Sequence, residues 1–293
     1  MKPAVILDKS FLQGAPTDCI RALATTHRLV VSGALFYELL TGPEPGRSRC
    51  FAKLPQTDNP VELVDNVGRL MRVEMETQRP AGKPSSHREE MRFRFNPGLV
   101  KGNYAMPLEA QRALEDIGDA TKSDVESFLE RAIISPSFFP GLSMGSAADR
   151  VKARQEAEEA IADTERLLQF YAQLESPDPT TPFPPHALMN ENWAILRWLQ
   201  VNMLFGIDLY VRYSGNIPEE FSTKIYEKLE HDVHDAQVLI LGCLEGAFAT
   251  REKRANSMVA PSRPNRNAIR MTANQPMERT PSCCALRRRS SAR

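Results

Sequence analysis

Four carboxylates stand where an α/β chain can gather charge. Asp8 closes the apolar run Ala4-Val5-Ile6-Leu7, and Glu38 lies one and a half turns into a helical stretch that follows a second apolar run. Asp235 opens another helical stretch in His231-Asp232-Val233-His234-Asp235-Ala236-Gln237-Val238-Leu239-Ile240, with Asp232 one turn earlier competing for the same role. Glu252 comes two residues after the short apolar segment 247–250. Three or four carboxylates in one cleft repel one another unless a cation neutralises them. Mg²⁺ or Mn²⁺, held by a few carboxylates and several waters, suits phosphate substrates. Such an ion activates water and stabilises the leaving oxygen of a phosphodiester, so no positioned catalytic His or Cys is required.

The elements that must position these acids are legible near both ends. Residues 4–7 form a continuous apolar run of the kind found in a strand buried on both faces. A loop with Gly14 and Pro16, a helix over 18–25 and a strand over 27–31 follow, and Ser32 caps a helix over 33–40. This alternation predicts a parallel sheet with helical crossovers. In an open α/β sheet, the C-terminal strand ends and adjoining helix starts face one crevice, where separated acids converge.

Between 43 and 215 the pattern turns helical, over 61–77, 107–118, 123–134 and 147–174, with a more apolar helix over 186–213. Residues 79–90 and 176–185 read as loops, and 91–95 as a short strand. Helices over 218–230 and 235–246 then precede a short strand over 247–250. One further edge strand is expected within 267–273.

Val5-Ile6-Leu7-Asp8-Lys9-Ser10 resembles the opening of PIN-like domains, where a strand ends in Asp and a small hydroxyl residue follows two places later. Leu29-Val30-Val31-Ser32 with Tyr37-Glu38-Leu39-Leu40 is similar to the second acidic motif of that family, and Asp235-Ala236 followed by Val238-Leu239-Ile240 to the third. Gly246-Ala247-Phe248-Ala249-Thr250-Arg251-Glu252 is similar to the fourth, with Glu252 where Asp is usual. The resemblance implies a three-layer α/β/α sandwich with a parallel central sheet, split into 1–42 and 216–275 around a helical insertion, 43–215, and followed by a basic, disordered tail, 276–293. It implies Mg²⁺- or Mn²⁺-dependent hydrolysis of RNA, with Asp8, Glu38, Asp235 and Glu252 as catalytic metal ligands. Ser10 and Thr250 would hydrogen-bond nearby, and Arg251, Lys253 and Arg254 would contact nucleic acid. The alternative is a non-catalytic PIN-like module that binds RNA or a protein, and the sequence has no base-reading motif to separate RNA from DNA.

Other chemistries find less support. His231 and His234 have no third soft ligand close in sequence, which argues against zinc. Ser10 lacks a GxSxG context, and Asp8-Lys9-Ser10 lacks the second Asp of an aspartyl-phosphate phosphatase. No glycine-rich phosphate loop is present, and Trp193 and Trp198 read as helix core.

The five cysteines include no CxxC pair, so reduced thiols are expected. No apolar run reaches membrane-helix length, and 4–7 is too short for a signal-peptide core, so no membrane partner and a cytoplasmic location are expected. The formal net charge of zero hides an asymmetry: residues 251–293 hold 11 of the 37 Lys+Arg and 2 of the 37 Asp+Glu. This basic end suits nucleic acid as a partner, and the insertion suits a protein partner or self-association.

Overall fold

The computed structural model describes residues 2–89, 108–174, 180, 182–213 and 222–251. In chain order these form β1 (Ala4–Leu7), α1 (Lys9–Gly14), α2 (Thr17–Thr26), β2 (Arg28–Ser32), α3 (Gly33–Thr41), α4 (Gly46–Phe51) and β3 (Glu62–Val64). They continue with α5 (Val67–Thr77), β4 (Arg88–Glu89), α6 (Leu108–Phe138), α7 (Ala147–Ala162), α8 (Thr164–Tyr171), α9 (Ala194–Arg212), α10 (Thr223–Glu245) and β5 (Phe248–Ala249). Two compact units result. One is built on Met1–Val64 with the described residues of Arg88–Arg112 and Glu245–Arg293; the other comprises Asp65–His87 and Ala113–Leu244.

The first unit is an α/β sheet in the order β4-β3-β2-β1-β5. Four strands are parallel, as the alternation of elements predicts, and β4 pairs antiparallel with β3 at the edge. β1 lies between β2 and β5, so both of its edges are paired, and all four of its residues are apolar with none above 5% exposure, the pattern of a parallel strand covered on both faces. Full burial of side chains such as Ile6 and Leu7 contributes roughly 1.5–3 kcal/mol each. The Ser32 hydroxyl accepts from the Leu35 N–H at 3.2 Å, so β2 passes directly into α3 through a side-chain cap.

Several local expectations are corrected. The segment after Asp8 is helical, not a loop, because Gly14 and Pro16 lie at and beyond the end of α1 rather than inside it. The stretch 61–77 is not one helix: β3 is too short to show alternation, and Asn66 starts α5 by accepting from Arg69 N at 2.8 Å. Both β3 and β4 come from the stretch read as helical insertion and loop. The stretches 218–230 and 235–246 are served by one continuous α10, and 107–118 and 123–134 by one α6. Residues 147–174 divide into α7 and α8, where Asp163 accepts from Glu165 N and Arg166 N to start the second helix. The proposed strands at 91–95 and 267–273 and the tail 276–293 lie outside the described residues.

The second unit is helical. α7, α8 and α9 bury a core containing Ile161, Leu167, Trp193, Leu196 and Ile207, the packed-helix role read for Trp193. α9 begins at Trp193, which supplies no side-chain cap. The carboxylate of Glu74, fully buried on α5, takes that place by accepting from Ala194 N at 2.7 Å and Ile195 N at 2.9 Å. Ala81 N donates to it as well, at 3.0 Å. Among the described residues no helix is long and apolar enough to cross a membrane.

Candidate functional site

The parallel register places Ile6 beside Phe248 and Leu7 beside Ala249, so Asp8 and Thr250 fall together where β1 and β5 end. The ladder continues one step, with Asp8 N donating to Ala249 O at 3.0 Å. Asp8 is 7% exposed and Thr250 3%, which makes this strand-end pair part of the interior.

Asp8 occupies the N-cap of α1 yet makes no capping hydrogen bond. Asp is among the best capping residues, and such a bond typically stabilises by about 1 kcal/mol. Its carboxylate is instead engaged elsewhere. Ser10 Oγ and Thr250 Oγ1 both donate to Oδ2, the latter at 2.7 Å. The two hydroxyls are 3.2 Å apart, and Arg251 N–H donates to Ser10 Oγ at 3.0 Å. These bonds fix the plane of the carboxylate. Oδ1 accepts no hydrogen bond among the described residues.

Glu38 sits on α3, half-buried, and its Oε1 forms an ion pair with Lys9 Nζ. Lys9 is the residue between the two that define the Asp8 cluster. Its ammonium therefore provides the positive charge opposite Glu38, a role the sequence motif alone does not reveal.

Asp235 and Asp232 are placed in α10. Asp235 is exposed in the interior of α10, not at a helix start, and belongs to the second unit. Asp232 pairs with Arg212 at 2.9 Å, and Arg212 also bonds Asp208 at 3.0 Å, so Asp232 serves an ion-pair network between α9 and α10. Glu252, Lys253 and Arg254 lie outside the described residues. Among the described residues no group of three or more His, Cys, Asp or Glu side chains comes together.

The acids at this end of the sheet suit a hard cation. Asp8 offers a carboxylate held through one oxygen, and Glu38, ion-paired with the neighbouring Lys9, a second carboxylate. Such a site fits Mg²⁺ or Mn²⁺, which keep most of their waters and need only one or two carboxylates. Soft sulfur or imidazole donors are not part of it.

A basic group borders the cluster. Lys53 Nζ donates to Leu12 O at 2.8 Å and to Gln13 O at 2.5 Å, and Arg251 Nη1 donates to Gly14 O at 2.5 Å. Burial, and then the nearby Arg251 and Arg49 cations, push the Lys53 pKa below its usual value. Burial pushes the Cys50 thiol up, against the opposing influence of Lys53, Lys9 and Arg49. Lys53 escaped sequence reasoning because it lies in the stretch assigned to the insertion. Scans against protein-family models, curated proteins and solved structures return no match, so the reading of this site stands on the chain's own residues.

Proposed function

We propose that the first unit is a PIN-like domain of three-layer α/β/α type, and that its strand-end cluster is the centre of a Mg²⁺- or Mn²⁺-dependent nuclease that hydrolyses RNA. The observation that carries this reading is the Asp8 carboxylate at the strand end, held through Oδ2 by Ser10 and Thr250 while Oδ1 accepts no hydrogen bond among the described residues. Strand-end crevices of parallel sheets are where ligands bind. A carboxylate withdrawn from its capping role and held by two hydroxyls is spent on position rather than on α1.

In this reading Asp8 and Glu38 hold the cation, with Glu252 as the further acid that the motif supplies. Ser10 and Thr250 are positioning residues that hold the Asp8 carboxylate through Oδ2. Lys9 shields Glu38 in the ion-free state and must leave it when the ion arrives. The cation supplies water activation and neutralises the developing charge on the phosphodiester.

The Lys9–Glu38 pair favours a second reading, in which the same fold binds RNA or a protein without cleaving it. An ammonium resting on the second acid replaces the ion as counter-charge. Calorimetric titration with Mn²⁺ separates the two. The nuclease reading expects binding by the natural chain and a loss of about tenfold or more in affinity with Asp8→Asn, the scale of disturbed metal sites. Mn²⁺ affinity unchanged by Asp8→Asn would contradict it.

A further inference from the structure

Three carbonyls at the end of α1 gather two cations. Lys53 takes Leu12 O and Gln13 O, and Arg251 takes Gly14 O. Basic side chains commonly finish a helix C-terminus, but α1 has only six residues and one cation suffices for that purpose. A second brings like charge against like, and Arg49 adds a third close enough to disfavour the charged form of Lys53. Among the described residues none of Lys53, Arg251 and Arg49 forms an ion pair, whereas Lys9 beside them is matched with Glu38. Arg49 and Arg251 are exposed and Lys53 is half-buried. The cluster is thus an accessible, uncompensated positive ledge.

The ledge is fixed relative to Asp8. Arg251 follows Thr250 directly, and its backbone N–H donates to Ser10 Oγ. From Asp8, the N-cap of α1, to Gly14, its last residue, the rise is roughly 9 Å at about 1.5 Å per residue. That is a short interval on the scale of a nucleic-acid strand, which rises by about 3.4 Å per nucleotide along a duplex axis and is longer along its backbone.

We infer that Lys53 and Arg251, supported by Arg49, form a phosphate-binding ledge that holds the backbone of a nucleic-acid strand beside the Asp8 cluster. The inference rests on the proposed function for the chemistry at Asp8, but the ledge itself binds strand without metal. It accounts for the convergence of cations on α1, since a phosphate relieves the repulsion that the capping role leaves in place.

The test is fluorescence anisotropy of a labelled single-stranded RNA in EDTA across a salt series, using the full chain. Replacing both residues with neutral glutamines, Lys53→Gln with Arg251→Gln, is expected to weaken binding about tenfold at low salt. It should also lower the slope of log affinity against log salt by about 1.4, from roughly 0.7 per phosphate contact on a single strand. Lys2→Gln with Arg28→Gln removes the same charge where β1 and β2 begin, at the strand ends away from Asp8, and is expected to leave both quantities unchanged. The charge-keeping pair Lys53→Arg with Arg251→Lys is expected to retain affinity, which separates lost charge from lost folding. Equal weakening by both neutral pairs, or no measurable RNA binding by the natural chain, would overturn the ledge. Because cleavage with Mn²⁺ is assayed separately, a chain that cleaves yet is indifferent to the glutamine pair refutes the ledge alone. A chain that binds through the ledge without cleaving refutes the nuclease reading alone.

Discussion

Thr250 Oγ1 donates to Asp8 Oδ2 over 2.7 Å, joining residues 242 positions apart in the chain. The contact follows from the pairing of β1 with β5, which sets Leu7 against Ala249 and leaves the next two side chains side by side. Ser10 donates to the same oxygen, so the two hydroxyls act on one acceptor. Thr250→Val removes one donor from a buried carboxylate and is expected to destabilise the first unit by about 1–3 kcal/mol. Ser10→Ala combined with Thr250→Val should depart from additivity by about 0.5 kcal/mol or more, as expected of residues in one network. Urea unfolding of the two single variants and the double variant measures both quantities, and strict additivity would mean that the hydroxyls work independently.

Lys9 competes with a cation for Glu38. Removing its charge with Lys9→Met should therefore tighten Mn²⁺ binding. Two unit charges about 4 Å apart interact by about 1 kcal/mol in water and more near a protein surface, so a gain of roughly fivefold or greater is expected. Calorimetric titration reads it directly. Weaker Mn²⁺ binding by Lys9→Met would show that the ammonium helps to build the site instead of blocking it.

The second unit carries its own titration. Burial pushes the Glu74 pKa above its usual 4.5, while the backbone N–H groups of Ala194, Ile195 and Ala81 pull the other way. A carboxyl with a raised folded-state pKa makes a contribution that is fully present below the unfolded value. That contribution is lost as pH rises from 4.5 through the shifted value, because the unfolded chain ionises first. Subtracting the stability of Glu74→Gln from that of the natural chain at each pH should give a difference that falls across this window. Glu74→Gln also turns an amide donor toward backbone donors, so it should be less stable than the natural chain by about 1–3 kcal/mol at low pH. A difference that rises with pH would contradict the burial-dominated account.

Gly14 sits under the Arg251 guanidinium. A Cβ at this position would lie 2.2 Å from Arg251 Nη1 and 2.7 Å from its Cδ, so Gly14→Ala must displace that side chain. Gly14 is the last residue of α1, so the gain from alanine is expected to be smaller than the helix-interior value of about 0.8–1 kcal/mol. RNA affinity in EDTA should nevertheless fall, because the cation leaves its place without losing its charge. Unchanged RNA affinity with a verified fold would separate Arg251 from the strand.

The parts of the fold that sequence made legible are those governed by local rules. β1 announces itself through four consecutive apolar residues, and α3 through the Ser32 cap. The strand-end position of Asp8 follows from the same run. β3 was not legible, since three residues carry no periodicity and the helical spacing of α5 overran it. Asp235 looked like a helix start because acids favour first turns, but α10 passes through it uninterrupted. The Lys9–Glu38 pair and the Lys53 contacts depend on side chains 29 and about 40 positions apart meeting in space, which no motif spacing encodes.

The central claim is that the Asp8 cluster performs metal-dependent phosphodiester hydrolysis. Its most direct test is cleavage of single-stranded RNA in Mn²⁺, Mg²⁺ or EDTA, comparing the natural chain with Asp8→Asn. The account predicts cleavage with either ion, none in EDTA, and a loss of activity with Asp8→Asn while the fold is retained. A folded natural chain that cleaves in no metal, or an Asp8→Asn variant that cleaves as well as the natural chain, would contradict it.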